Sequence, residues 1–104
     1  MVCLSELLDK AKGRLDLVVG LLEDAGKGSA ENRPLLEAFK AAEEQWRKDV
    51  EVTCGRMLEL KYKDGTMART EPVRCRLLMT RERERLIRIL YYQQLRYLEQ
   101  PSER

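Results

Sequence analysis

Residues 72–99, PVRCRLLMTRERERLIRILYYQQLRYLE, decide the fold that the sequence predicts, because they contain no glycine and no proline after Pro72. Proline suits the first turn of a helix, and Thr70 is placed to act as the N-cap. A continuous helix of this length would measure roughly 42 Å at about 1.5 Å per residue. A compact domain of this chain length has a radius of gyration of only about 13 Å. We therefore expect part of this helix to project or to be covered by another chain.

Two earlier stretches also predict helices. Residues 4–25 repeat leucine, valine and alanine at three- and four-residue steps, which is the spacing of a helix with one buried face. Gly13 and Gly20 interrupt this stretch and are expected to mark close helix approach. The polar run that begins at Gly26 is expected to end the helix.

A second helix is predicted to begin at Asn32 and Pro34 and to end at about Lys61. Its apolar seam would consist of Leu35, Phe39, Ala42, Trp46, Val50, Thr53, Met57 and Leu60. Charged residues such as Glu43 and Glu44 would lie on the solvated side. Residues 62–69 would form an ordered loop. A short hairpin at 58–70 is the alternative, because apolar and charged residues alternate there before an Asp-Gly pair.

Composition favours long amphipathic helices, since 37% of the residues are charged and 6% are aromatic. The charge is unevenly distributed. Residues 1–60 hold 9 Lys/Arg and 12 Asp/Glu, whereas residues 61–104 hold 11 and 6. The second half is therefore basic and suited to an acidic partner or to the first half of the chain.

The sequence offers little for catalysis. It has no histidine, which removes the commonest general base and the commonest metal ligand. We therefore expect no enzyme activity, no catalytic or metal site and no cofactor. The three cysteines are far apart in the sequence, which favours reduced thiols in the cytosol or nucleus over a disulfide framework. No signal peptide or membrane span is visible, and no membrane association is expected.

The last predicted helix is apolar on several sides, which is typical of a helix covered on more than one face. We expect its apolar residues and two arginines to bind partner helices. This interface would include Arg85, Leu86, Ile87, Arg88, Leu90, Tyr91, Leu95 and Leu98. An alternative is nucleic-acid binding, in which Arg81, Arg83 and Arg85 would contact phosphates.

Part of this helix resembles a known family. Val73-Arg74-Cys75, followed by Glu84-Arg85-Leu86-Ile87-Arg88-Ile89, is similar to the signature helix of the first Psf-type subunit of the eukaryotic GINS complex. Cys3 near the start and the Asp49-Val50 pair in the second helix are also similar. The resemblance implies intersubunit packing by Arg74, Cys75, Arg85, Leu86, Ile87, Arg88 and Ile89. It also implies a nuclear location and partners among GINS subunits and components of the replicative helicase.

The sequence thus predicts an all-α chain of three main helices, in which the last two are long and antiparallel. Residues 1–100 would form a single helical domain and residues 101–104 a frayed tail. The predicted function is that of a non-catalytic helical subunit of a DNA replication complex. A homodimeric helical adaptor and a small basic nucleic-acid-binding protein are the alternatives.

Overall fold

Three helical stretches, joined by short turns, make up the computed structural model, which describes residues 3–28, 30–63 and 65–91. No strand occurs in these ranges, so the all-α prediction is confirmed and the alternative of a hairpin at 58–70 is wrong. The elements are α1 (Leu4–Lys27), α2 (Arg33–Val50), a π-helical segment (Glu51–Arg56), α3 (Met57–Tyr62) and α4 (Thr66–Leu90).

The second helical stretch runs without a break from α2 through the π-helical segment into α3. Val50 and Met57, the residues on either side of the π-helical segment, both have right-handed helical torsions. The stretch ends at Tyr62, one residue beyond the predicted end.

The reversal after α3 is tighter than the predicted loop over 62–69. Lys63 has φ 53° and Gly65 has φ 101°, a region where glycine meets no steric penalty. Because α4 begins at Thr66, Pro72 lies inside the helix and Thr70 is not its N-cap. Proline removes one backbone hydrogen bond there. The turn that follows is fixed by tertiary contacts of Val73 and Cys75, which explains how α4 continues through the proline.

The first and last helices lie side by side and run in the same direction. Leu8 packs in a cluster with Leu77 towards their N-terminal ends, and Val18 packs in a cluster with Ile87 further along. The larger cluster contains Leu15, Val18, Val19, Leu22, Phe39 and Ile87, and the smaller one Leu8, Ala11 and Leu77. The apolar face predicted for residues 4–25 is therefore the buried face of α1.

The long middle helix runs antiparallel to α4, as predicted. At one end, the rings of Phe39 and Tyr91 meet edge to face with centroids 5.7 Å apart. At the other end, Cys54 meets Cys75. Each helix therefore contacts the other two, and α4 receives side chains from both neighbours.

The buried stripe of the middle helix differs from the predicted seam. Leu35, Met57 and Leu60 are exposed, as is Ala42. The buried residues are Leu36, Phe39, Glu43, Val50 and Cys54. Cys54 lies four residues after Val50 and continues the buried stripe, whereas Thr53 is half-buried.

The molecule is long and flat, with extents of 53 × 32 × 16 Å and a radius of gyration of 16.5 Å. Leu4, at the start of α1, packs in the same cluster as Val73 of α4. The part of α4 that precedes Val73, and α3 beside it, therefore extend beyond the N-terminal end of α1. We call residues 55–74 the arm. None of the residues of α3, which belongs to it, is buried.

Candidate functional site

A disulfide closes the base of the arm. Cys54 in the π-helical segment is bonded to Cys75 in α4, with their Cα atoms 5.4 Å apart. Cys54 is fully buried. The two cysteines are 21 residues apart in sequence, but the antiparallel packing of their helices brings them together. The prediction of reduced thiols is therefore wrong for this pair, whereas Cys3 is free and exposed.

Further contacts surround the disulfide. Arg76 Nη2 lies 3.4 Å from Glu51 Oε2, and Met79 Sδ lies 3.4 Å from Cys54 Sγ. In the chain-entropy account, closing a loop of this length stabilises the folded state by roughly 3 kcal/mol. The arm is thus fixed to the bundle by one covalent bond and one ion pair.

The tip of the arm carries exposed cations. Lys61, Lys63 and Arg69 are all exposed, and Lys61 Nζ lies 5.1 Å from the ring centroid of Tyr62. Residues 55–74 contain five Lys/Arg and three Asp/Glu, so their formal charge is 5 − 3 = +2. This formal charge equals that of the whole chain, which is also +2.

The arm also exposes apolar side chains. Met57 and Leu60 are 56% and 57% exposed, and Met67 across the turn is 47% exposed. Methionine is common at surfaces that bind other proteins because its side chain adapts to irregular contacts. A projecting, braced segment with cationic and apolar side chains has the composition of a protein-binding surface.

A basic basin lies between α1 and α4. Its cations surround the buried carboxylate of Glu84, and they are Lys10, Arg14, Arg81, Arg85 and Arg88. Arg88 Nε lies 2.7 Å from Glu84 Oε2 and Arg14 Nε lies 3.2 Å from Glu84 Oε1. Two of the cations are therefore engaged by the protein's own carboxylate.

The pKa of Glu84 is lowered below its ordinary value of 4.5. Burial acts in the opposite direction and raises this pKa, but hydrogen bonds from Arg88 and Arg14 outweigh it. Glu84 therefore stays ionised in the folded protein at neutral pH.

A second buried carboxylate links α2 to α4. Arg83 Nε donates a hydrogen bond of 2.6 Å to Glu43 Oε1, and Arg83 Cζ lies 6.0 Å from the centre of the Trp46 ring. Glu43 is only 5% exposed, whereas the sequence placed it on the solvated face. Its second oxygen, Oε2, is buried and has no hydrogen-bond partner among the residues that the structure describes.

The residues predicted to form a partner interface do not share one surface. Ile87 is 1% exposed and belongs to the core. Cys75 is in the disulfide, and Arg88 is bonded to Glu84. Tyr91 is half-buried against Phe39. These four side chains hold this protein together.

The other predicted interface residues fall into two groups. Exposed members are Arg74, Arg85, Leu86, Ile89 and Leu90, of which Arg74 pairs with Glu71 at 3.4 Å. Leu95 and Leu98 lie outside the described residues, as does the predicted tail over 101–104.

The three arginines predicted to contact nucleic acid are also separated. Arg81 and Arg85 line the basic basin. Arg83 points to α2 and pairs with Glu43. Alternate residues of a helix point in different directions, so these arginines do not form one continuous patch.

Within residues 3–28, 30–63 and 65–91, no group of three or more His, Cys, Asp or Glu residues is arranged to hold a metal ion. None of the helices described is long and apolar enough to cross a membrane.

The described residues thus form a helical domain with a disulfide-braced arm that exposes cationic and apolar side chains. A protein-family profile described as "Lysozyme inhibitor LprI" matches residues 1–86, which is more than four-fifths of the chain. The chain belongs to the LprI family. No curated protein and no solved structure matches it.

The family match corrects the assignment made from the sequence. The GINS resemblance is wrong, and with it the DNA replication function, the GINS and helicase partners and the nuclear location. The homodimeric adaptor and the nucleic-acid-binding protein do not match either. In this chain the residues that carried the resemblance have other roles: Cys75 forms a disulfide, Glu84 forms a buried ion pair and Ile87 lies in the core.

Proposed function

We propose that this protein is a non-enzymatic inhibitor of a lysozyme and that it acts as a folded binding partner of that enzyme. The observation that carries the proposal is the match of the lysozyme-inhibitor family over residues 1–86. This range includes α1, the whole middle helix, the arm and most of α4. The matched region therefore contains the whole arm, whereas Arg88 of the basic basin lies beyond it.

The disulfide supports a location outside the reducing cytoplasm. Disulfides persist in secreted and periplasmic proteins and are rare in the cytosol. Members of the LprI family are bacterial and are periplasmic or secreted. The Cys54–Cys75 bond is buried at its Cys54 end, as expected of a structural bond. We propose a periplasmic or secreted location for this chain as well.

The ionisable groups support binding rather than catalysis. The two buried carboxylates, Glu43 and Glu84, are both engaged by arginines of the bundle. A carboxylate held ionised between two arginines is a poor proton donor at neutral pH. The chain also contains no histidine. These features favour a protein that acts by covering a surface of its target.

The test is a lysis assay with purified oxidised chain. The rate at which a lysozyme clears a cell-wall suspension is measured as the chain is added, with several structural classes of lysozyme as targets. We expect the rate to fall and to saturate as an equimolar complex forms. An unchanged rate for every lysozyme at about a hundredfold excess of the chain would contradict the proposal.

A control separates inhibition of the enzyme from coating of its substrate. The same titration is repeated with a small soluble oligosaccharide substrate. This substrate has no cell-wall surface that the chain could coat. We expect the same inhibition constant with both substrates. Loss of inhibition with the soluble substrate would show that the chain coats the wall and would overturn the proposal.

A further inference from the structure

We propose that the arm is the part that blocks the enzyme, by placing the ammonium groups of Lys61 and Lys63 in the carboxylate-lined cleft of the lysozyme. This inference rests on the proposed function and names the surface responsible for it. Its argument uses the shape, the charge and the rigidity of the arm.

Shape selects the arm over the basic basin. Substrate sites are concave, so the segment that enters one must be convex and narrow. The end of α3 at Tyr62 and the start of α4 at Thr66 are close in sequence, and this narrow end of the arm lies beyond the N-terminal end of α1. The basin between α1 and α4 is itself a depression, and a depression cannot enter another one.

Charge makes the tip complementary to the chemistry of the cleft. Glycosidases of the lysozyme type use two carboxyl groups and stabilise a transition state with oxocarbenium character. Such a site favours positive charge at the reacting centre. Lys61 and Lys63 flank Tyr62 in the sequence, where α3 ends, and both are exposed. Neither of them forms an ion pair in the part of the chain that the structure describes.

Exposed apolar side chains and the rigidity of the arm also favour its binding in the cleft. Met57, Leu60 and Met67 are exposed beside the tip and can pack against the walls of the cleft. The disulfide at the base fixes the arm before binding. A segment that is already ordered loses less conformational entropy when it binds.

The experiment compares charge reversals at the tip with reversals elsewhere. The two tip variants are Lys61→Glu and Lys63→Glu. Their controls are Lys27→Glu and Lys40→Glu, because Lys27 in α1 and Lys40 in α2 are also exposed but lie outside the arm. Circular dichroism and thermal unfolding verify that all four variants fold. We expect each tip variant to raise the inhibition constant about tenfold or more, and each control to change it less than about twofold.

A competition measurement gives the second readout. A soluble oligosaccharide that occupies the cleft should displace the chain from lysozyme in proportion to its own occupancy. Tip variants that inhibit as well as the unmodified chain, or a complex that forms equally well when the cleft is filled, would overturn the inference alone. Failure of the unmodified chain to inhibit any lysozyme would instead overturn the proposed function.

Discussion

Glu84 retains its charge in the middle of the bundle because arginines from two helices donate hydrogen bonds to it. Replacing it with glutamine, Glu84→Gln, removes the negative charge and one of the two oxygens that accept hydrogen bonds from Arg14 and Arg88. Arg14 remains 69% exposed and can recover water, so we expect a loss of only about 1–3 kcal/mol in the free energy of unfolding.

Urea denaturation measures this change, and Glu82→Gln is the matched control because Glu82 is exposed on the same helix. The control should change the free energy of unfolding by less than about 0.5 kcal/mol. Equal effects of the two substitutions would show that the ion pairs of Glu84 contribute nothing to stability.

Gly26 is the glycine at which close approach occurs. A Cβ atom there would lie 2.9 Å from Leu36 Cβ, so Gly26→Ala must shift α2 away from α1. We expect this substitution to destabilise the fold by about 1–3 kcal/mol. Gly20→Ala, whose added Cβ would meet nothing within 4 Å, should stabilise the helix by up to about 1 kcal/mol. Thermal unfolding of the two variants would contradict this argument if both shifted the midpoint in the same direction.

The sequence predicted close approach at the wrong glycines. Gly13 and Gly20 lie inside α1, where added methyl groups meet open space, whereas Gly26 was expected only to end the helix. The requirement at Gly26 comes from Leu36 on the next helix. The position of Leu36 depends on how the chain turns after α1, and the helical pattern of α1 contains no information about that turn. Helix periodicity predicted the buried face of α1 because that property is local to one helix.

At the scale of elements, the arm depends on the disulfide more than the bundle does. Neither core cluster contains a cysteine, so the double variant Cys54→Ser/Cys75→Ser should keep most of its helix content. We expect faster amide hydrogen exchange in residues 55–74 and a loss of roughly 3 kcal/mol in the free energy of unfolding.

Hydrogen exchange read by mass spectrometry localises the effect, and Cys3→Ser is the control because Cys3 is exposed and free. If the arm acts in inhibition, the double variant should also inhibit lysozyme more weakly while the control does not. Unchanged exchange in the arm would mean that α3 and α4 hold it without the covalent bond.

The middle helix shows why helix existence was predictable and helix register was not. The helix was expected to continue to about Lys61 and ends at Tyr62, because its length follows from uninterrupted local propensity. Its buried stripe departs from the predicted seam already in α2, where Leu36 and Glu43 are buried instead of Leu35 and Ala42. Contacts with the other two helices decide that register, and the pattern of one helix does not contain them. The Cys54–Cys75 pair was not recognised from spacing for the same reason, since it joins two different helices.

At the scale of the whole molecule, three long helices form a thin layer, 16 Å in its shortest extent. The sequence predicted that a helix over 72–99 would be too long for a compact domain, but the part of α4 that belongs to the arm, residues 66–74, lies mostly before that stretch. The family was not predictable from that helix. Alternating arginine, leucine and isoleucine satisfy the spacing of a packed helix in many unrelated proteins, so the pattern indicates packing and not function.

Acid should loosen the whole bundle, because a buried carboxylate joins α4 to α1. The pKa of Glu84 in the folded protein lies below its ordinary value of 4.5. A lowered folded pKa means that the unfolded chain takes up the proton first, so the stabilisation is complete well above pH 4.5 and is lost as the pH falls through the folded pKa. We expect the thermal midpoint to drop steadily below about pH 5, and the drop to be smaller in Glu84→Gln, which has no proton to gain at this position. Midpoints measured at intervals between pH 7 and pH 3, compared with those of Glu82→Gln, test the assignment. If Glu84→Gln retained the full acid dependence of the unmodified chain, the protonation that destabilises the fold would occur at another carboxylate.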